Sequence, residues 1–131
     1  MDKGSQPNFS LADYISPSGD DYIGLFAVTA GHGIENIIQE YQSKNDDYNE
    51  IMVKVLADRL AEAAAEWLHR KVRTKYWGYS KKEVLDLKDM LYEKYIGIRP
   101  APGYPACPDH KEKDKIWKLL QVENEIGISL T

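Results

Sequence analysis

The feature that most constrains the fold is a stretch from about residue 48 to residue 72 that contains neither glycine nor proline. Apolar residues recur in this stretch at helical spacing, at Met52, Leu56, Leu60, Ala63, Ala64 and Trp67. Because such spacing places side chains on one face of a helix, it predicts one long helix over about 48–72, with Asp46 or Asp47 as its N-cap. The alanine-rich "AEAAAE" in its middle would let a neighbouring element approach closely.

Two segments that precede the long helix are predicted to form strands. The apolar run "YIGLFAVTA" (22–30) is rich in β-forming residues and indicates a buried strand, and "FSLADYIS" (9–16) indicates another. Residues 1–8 are polar and contain a glycine and a proline, which is typical of a flexible lead. The folded part of the chain is therefore expected to span residues 9–131.

Three further helices are predicted. Apolar residues at intervals of three and four indicate one over about 34–43. Ser80 and Glu83 have the spacing of a capping box and predict another that ends near Tyr95. The last is predicted to begin near 109–111 and to turn inward Ile116, Leu119 and Leu120. Together the elements predict an α+β domain, in which a small, mostly antiparallel sheet is flanked by about four helices.

Composition and charge limit the classes of function. A chain of 131 residues has the length of one domain, and its net charge of −4 argues against a broad nucleic-acid interface. No apolar segment suits a signal peptide or a membrane span, and a single cysteine allows no internal disulfide. We therefore expect a cytoplasmic protein with no nucleic-acid or membrane partner. The three histidines lack the spacing of a metal site.

The proline-rich segment "GIRPAPGYPACPDH" (97–110) is the candidate site. It holds four of the six prolines of the chain, which predict an extended trace that presents its backbone N–H and C=O groups outward. Gly103 would let a ligand approach the main chain, Tyr104 offers a ring face, and Arg99 has the planar fork that matches a carboxylate. From these residues alone, a binding loop and a stiff connector between two helices are equally good interpretations.

Several segments also follow one another in the order found in a known family. From about Phe9 to the end of the chain these are "LADY", "DYIG.FAVT", "DDYN.IMVK.LADRLAEA.AE.LH", "YWGY" and "GIRPAPGYPACP.H". The series resembles the activation domain of cobalamin-dependent methionine synthase, the module that binds S-adenosylmethionine. "RPAPGYP" carries the arginine, glycine and tyrosine spacing typical of that family's ligand loop.

The resemblance implies which residues contact the ligand. Arg99 would take the carboxylate of the methionine moiety, and Asp13 in "LADY" would take its ammonium group. Glu62 and, more weakly, Asp58 would lie close to the ligand and the corrin, and their spacing of four places both on one face of the long helix. Backbone groups would hold the ligand around Ala101, Gly103, Tyr104 and Ala106.

The same resemblance implies that the chain is a fragment of a methyltransferase. In the full enzyme, the domain would bind S-adenosylmethionine for the reductive methylation that reactivates cob(II)alamin. The cobalamin-binding domain would hold most of the cofactor, and flavodoxin or a related reductase would supply the electron. Because the family's domain is longer at both ends, residues 9–131 are interpreted as a partial activation domain. We expect the fragment to be inactive by itself and to contain no catalytic residue and no metal ligand.

Other interpretations concern the same residues. The proline-rich segment and the aromatic "KYWGYS" (75–80) could instead form the docking surface of a non-catalytic interaction module. Cys107 lies close in sequence to His110, as a thiol nucleophile would, but the family uses no thiol chemistry here. His110 is interpreted as a helix-start or packing residue, or alternatively as part of a site that faces the cobalamin or a partner, and His32 as an exposed turn residue.

Overall fold

The computed structural model describes residues 8–130, which fall into two units. One unit is Ala27–Gly97, and the other combines the residues before Ala27 with those from Ile98 onward. Residues 1–7, which make up most of the predicted flexible lead, lie outside the described residues, as does residue 131. None of the helices within residues 8–130 is long and apolar enough to cross a membrane.

Two helices that pack against each other begin the unit Ala27–Gly97. They are α1 (Ile34–Ser43) and α2 (Asp47–Lys71), and both predictions are confirmed, the second with a shift of one residue at each end. Asp46 is the N-cap of α2, because its carboxylate accepts a hydrogen bond from the N–H of Asn49 at 3.1 Å. The first turn of α2 is acidic and its last turn basic, as the helix dipole favours.

Three residues of α2 are buried, Ala57, Ala65 and His69, and of these only Ala65 belongs to the alanine-rich part. Leu60 and Trp67, which belong to the predicted apolar face, are 61% and 58% exposed. Much of the large apolar surface of the helix therefore faces solvent.

The predicted third helix over residues 80–95 is wrong. Beyond α2 the backbone continues as a π-helical turn, and only α3 (Leu87–Leu91) is helical within 80–95. Ser80 and Glu83 close a turn, in which the N–H of Glu83 donates to the carbonyl of Ser80 at 3.0 Å. The Glu83 carboxylate forms no capping box, because it is bound to Arg73.

The predicted α+β fold is also wrong, since residues 8–130 contain five α-helices and no sheet. The run 22–30 is irregular, and Leu11–Tyr14 within the other predicted strand forms a 3-10 turn. An isolated bridge between Tyr104 and Cys107 is the one strand-like pairing in this part of the chain. A strand requires a neighbour that bonds its N–H and C=O groups, and no described segment provides one for 22–30.

The remaining two helices lie in the other unit. They are α4 (Glu112–Leu120) and α5 (Val122–Ile126), separated by Gln121 in a left-handed conformation. Val122 is almost fully buried, and the indole N–H of Trp117 donates to the carbonyl of Ile128 at 3.1 Å. The predicted start of α4 is confirmed to within a residue or so, but Leu119 is exposed and does not face inward.

Candidate functional site

The proline-rich loop folds into two consecutive turns. The N–H of Tyr104 donates to the carbonyl of Ala101 at 3.1 Å, and the N–H of Cys107 donates to that of Tyr104 at 2.8 Å. Pro102 and Gly103 are central in the first turn, where Gly103 has the positive φ of 99° that a type II turn requires. The expected extended trace is therefore wrong, because proline at the second position of a turn favours the turn.

The turns use part of the backbone that was expected to face a ligand. The N–H of Gly103 donates to the carbonyl of Cys107 at 2.7 Å, and the carbonyl of Ala106 accepts from the N–H of Leu11 at 3.1 Å. Within residues 8–130, the N–H groups of Ala101 and Ala106 and the carbonyl of Gly103 take no part in these bonds. Of the backbone groups of Ala101, Gly103, Tyr104 and Ala106, two donors and one acceptor are therefore left without a backbone hydrogen bond.

A histidine occupies the space beside Gly103. A Cβ atom at this position would lie 2.3 Å from Cε1 of His110, and 2.8 Å and 2.9 Å from its two ring nitrogens. Glycine is thus favoured by the positive φ, and any larger side chain here would also displace the imidazole. The side chain of Tyr104 is 61% exposed and remains accessible to a flat ligand.

The predicted charged contacts Arg99 and Asp13 belong to the same unit as the loop. Arg99 is partly buried, and its Nε atom is shielded from solvent. Asp13 lies in the 3-10 turn, where its Oδ2 accepts hydrogen bonds from the N–H and the hydroxyl of Ser10 at 2.6 Å and 3.1 Å. The bond between Leu11 and Ala106 joins this turn to the loop.

The two predicted acids of the long helix lie in the other unit. Asp58 and Glu62 are exposed on α2, one turn apart. The structure thus places six of the eight predicted ligand residues in one unit and these two in the unit Ala27–Gly97. Their contact with a ligand stays a prediction.

A buried polar cluster that the sequence does not predict surrounds Arg73. The Arg73 side chain is 0% exposed and binds the Glu83 carboxylate with two bonds, Nε to Oε2 at 2.8 Å and Nη2 to Oε1 at 2.7 Å. Its Nη1 donates to Nδ1 of His69 at 2.7 Å, and its guanidinium lies 4.2 Å from the ring centre of Tyr95. Because arginine only donates, the Nδ1 of His69 accepts and carries no proton. No periodic pattern signals a pair separated by ten residues.

The charges in this cluster shift the pKa values of its members. Hydrogen bonds from Arg73 hold the pKa of Glu83 below its ordinary value. Burial alone would lower the pKa of Arg73, but the bond and charge of Glu83 raise it. The N–H of Ser80 also donates to the carbonyl of Arg73 at 2.9 Å. The cluster therefore ties the end of α2 to the turn at residues 80–83, which is a structural role.

Other candidate chemistry is not assembled in the described residues. Cys107 is a buried free thiol, and no group of three histidine, cysteine or acidic side chains within residues 8–130 could hold a metal ion. A groove of about 700 Å³ is lined by residues 78–85 and 94–96 and contains none of the predicted ligand residues. The loop is therefore the candidate site because of the groups it presents, and not because it forms the larger cavity.

Comparison with known proteins identifies the family of the chain. The sequence profile of the family described as vitamin B12 dependent methionine synthase, activation domain, matches residues 1–131. The chain is also similar to a crystal structure of the MetH reactivation domain bound to AdoHcy (S-adenosylhomocysteine), with 54% sequence identity and a TM-score of 0.74. The match covers 79% of this chain and 32% of that chain, so it spans about a third of the relative's length.

Proposed function

The chain belongs to the activation-domain family of vitamin B12-dependent methionine synthase, and we propose from this membership that its proline-rich loop binds S-adenosylmethionine. The observation that carries the proposal is the high identity with a reactivation domain crystallised with S-adenosylhomocysteine. That molecule is what remains when S-adenosylmethionine has given up its methyl group. The proposed ligand and the ligand of the relative therefore share their adenosine and amino-acid parts.

Arg99 is the proposed anchor for the carboxylate of the ligand. A guanidinium can donate two parallel hydrogen bonds to a carboxylate, which fixes its orientation as well as its position. Pro100 restricts the backbone of Arg99, and partial burial restricts its side chain, so less freedom is lost on binding. Asp13 supplies the negative charge for the ammonium group. Ser10 binds its Oδ2, whereas its Oδ1 takes no described hydrogen bond and can accept one from the ligand.

The backbone of the loop is proposed to hold the rest of the ligand. The N–H groups of Ala101 and Ala106 and the carbonyl of Gly103 are among the groups that the two turns leave without a backbone hydrogen bond. These donors and the acceptor suit the hydroxyl and nitrogen groups of an adenosine, and the exposed ring of Tyr104 suits its flat surface. Because internal hydrogen bonds already order the loop, binding requires little further ordering.

Holding and orienting the methyl donor is the proposed contribution of this chain to the reaction. Bound S-adenosylmethionine would supply a methyl group to cobalamin, which the cobalamin-binding domain of the enzyme would hold, and flavodoxin or a related reductase would supply the electron. No residue of the loop has to act as a nucleophile or base, since the gain in reaction rate comes from the proximity and orientation of the methyl donor. The compartment proposed for this reaction is the cytoplasm.

Asp58 and Glu62 are proposed to favour the positively charged sulfonium of the donor. Both carboxylates are exposed on one face of α2 and are free of close ion pairs among the described residues. A carboxylate near the sulfonium strengthens binding, but it also stabilises the charged ground state. Their removal should therefore weaken affinity for S-adenosylmethionine more than affinity for S-adenosylhomocysteine, whose thioether sulfur carries no charge.

Isothermal titration of the chain with S-adenosylmethionine tests the proposal. We expect saturable binding that is lost in Arg99→Ala and weakened in Arg99→Lys, because a single ammonium cannot form both bonds of the guanidinium fork. Arg70→Ala removes an exposed arginine of α2 and should bind like wild type. No binding by wild type, or equal losses in the Arg99 and Arg70 variants, would contradict the proposal. Binding of a protein through residues 75–80 instead would favour the interaction module.

A further inference from the structure

His110 connects the proline-rich loop to the beginning of α4. Its carbonyl accepts the N–H of Lys113 at 3.1 Å, and the neighbouring Asp109 carboxylate accepts the N–H of Lys111 at 2.9 Å. The first turn of α4 thus fixes the backbone of His110. From there its ring reaches back to the space beside Gly103.

The contact adds a restraint on Gly103 to those that the hydrogen bonds of the turn already provide. Glycine adopts positive and negative φ about equally well, so Gly103 does not hold its own value of 99°. Its N–H is bonded to the carbonyl of Cys107 at 2.7 Å, and the imidazole of the exposed His110 fills the space where a side chain at this position would lie. The conformation of the first turn therefore depends on the ring as well as on that hydrogen bond.

We propose that His110 is a positioning residue of the ligand loop, whose imidazole rests against Gly103 and keeps the turn over residues 101–104 in its binding conformation. The inference rests on the function proposed above for the loop. In that conformation the N–H groups of Ala101 and Ala106 are available to the ligand. Without the ring, the turn samples other conformations, and the ligand must order it on binding. The role is packing by a flat ring, so a phenyl ring can replace the imidazole.

Two measurements on the full chain test this role. In the ligand-free chain, His110→Ala should speed hydrogen exchange at the N–H groups of Gly103 and Cys107 by about tenfold, with no change within α2. The same variant should raise the Kd for S-adenosylhomocysteine by about tenfold. His110→Phe should restore both values to within about twofold of wild type. Lys111→Ala, which changes an exposed neighbour, is the matched control and should change neither.

The possible results separate this proposal from the function of the loop. Unchanged exchange in His110→Ala would overturn it, whether or not the chain binds S-adenosylhomocysteine. Faster exchange with an unchanged Kd would also overturn it, because the ligand would then not depend on the contact. If His110→Phe did not restore binding, the packing role would be refuted, and a hydrogen bond of the imidazole would explain the loss in His110→Ala instead. Absence of binding by wild type would instead refute the proposed function, while the exchange rates would still decide whether His110 holds the turn.

Discussion

Removal of the Glu83 carboxylate should strongly destabilise the unit Ala27–Gly97. The side chains of Arg73 and Glu83 are 0% and 5% exposed, and two charge-assisted hydrogen bonds join them. Glu83→Ala leaves the guanidinium buried without its counter-charge, and loss of one partner of a buried pair costs about 3–5 kcal/mol. We expect the free energy of unfolding in urea, followed by far-UV circular dichroism, to fall by about that amount.

Two controls separate the buried charge from other effects of the substitution. The double replacement of Arg73→Met and Glu83→Leu leaves no buried charge and should recover most of the lost stability. Lys94→Ala removes the more exposed ion pair between Lys94 and Asp89 and should leave the unfolding curve unchanged within error. A loss below about 1 kcal/mol in Glu83→Ala, or a double variant as unstable as the single one, would refute the reasoning.

Three further predictions follow from the cluster and the loop. Because the folded-state pKa of Glu83 lies below its ordinary 4.5, its contribution to stability is present above pH 4.5 and is lost as the pH falls through the folded value. Thermal unfolding between pH 5 and 3 should therefore be less pH-dependent in Glu83→Gln, and an equal slope would contradict this. Gly103→Ala should raise the Kd for S-adenosylhomocysteine by more than about tenfold in titration, because alanine disfavours the positive φ and its Cβ would meet the His110 ring, and a Kd like that of wild type would contradict this. Cys107→Ser should leave the Kd nearly unchanged, because Cys107 contributes only backbone groups to the turns, and loss of binding would assign the thiol a role.

The long helix could be predicted because the interactions that form it are local. Its apolar spacing, the absence of glycine and proline, and the Asp46 cap all lie within one continuous stretch. A strand at 22–30 would require a pairing partner elsewhere in the chain, and an apolar run cannot specify that partner. Ser80 and Glu83 have the spacing of a capping box, but the buried guanidinium of Arg73 binds the carboxylate instead. Local patterns failed where a partner distant in sequence forms the stronger interaction.

In the proline-rich loop, too, some features follow from the local sequence and others depend on residues outside the turn. A type II turn at Pro102 and Gly103 follows from the preference of proline for the second position and of glycine for positive φ. The extended preference of proline, taken alone, predicts an extended trace and not this turn. The packing of His110 against Gly103 had no local signal, because it depends on where α4 begins. The ligand contacts of Arg99 and Asp13 stay predictions.

The central claim, that the proline-rich loop binds the adenosyl ligand, is tested most directly by NMR titration of the isotope-labelled chain with S-adenosylhomocysteine. We expect the backbone amide signals of Ala101 and Ala106 to shift in a saturable manner, because their N–H groups are available to the ligand. The side-chain signal of Arg99 should shift with the same affinity. In Arg99→Ala all of these shifts should disappear at the same ligand concentrations. Shifts confined to residues 75–80, or no shift within residues 99–107 at saturation, would contradict the claim.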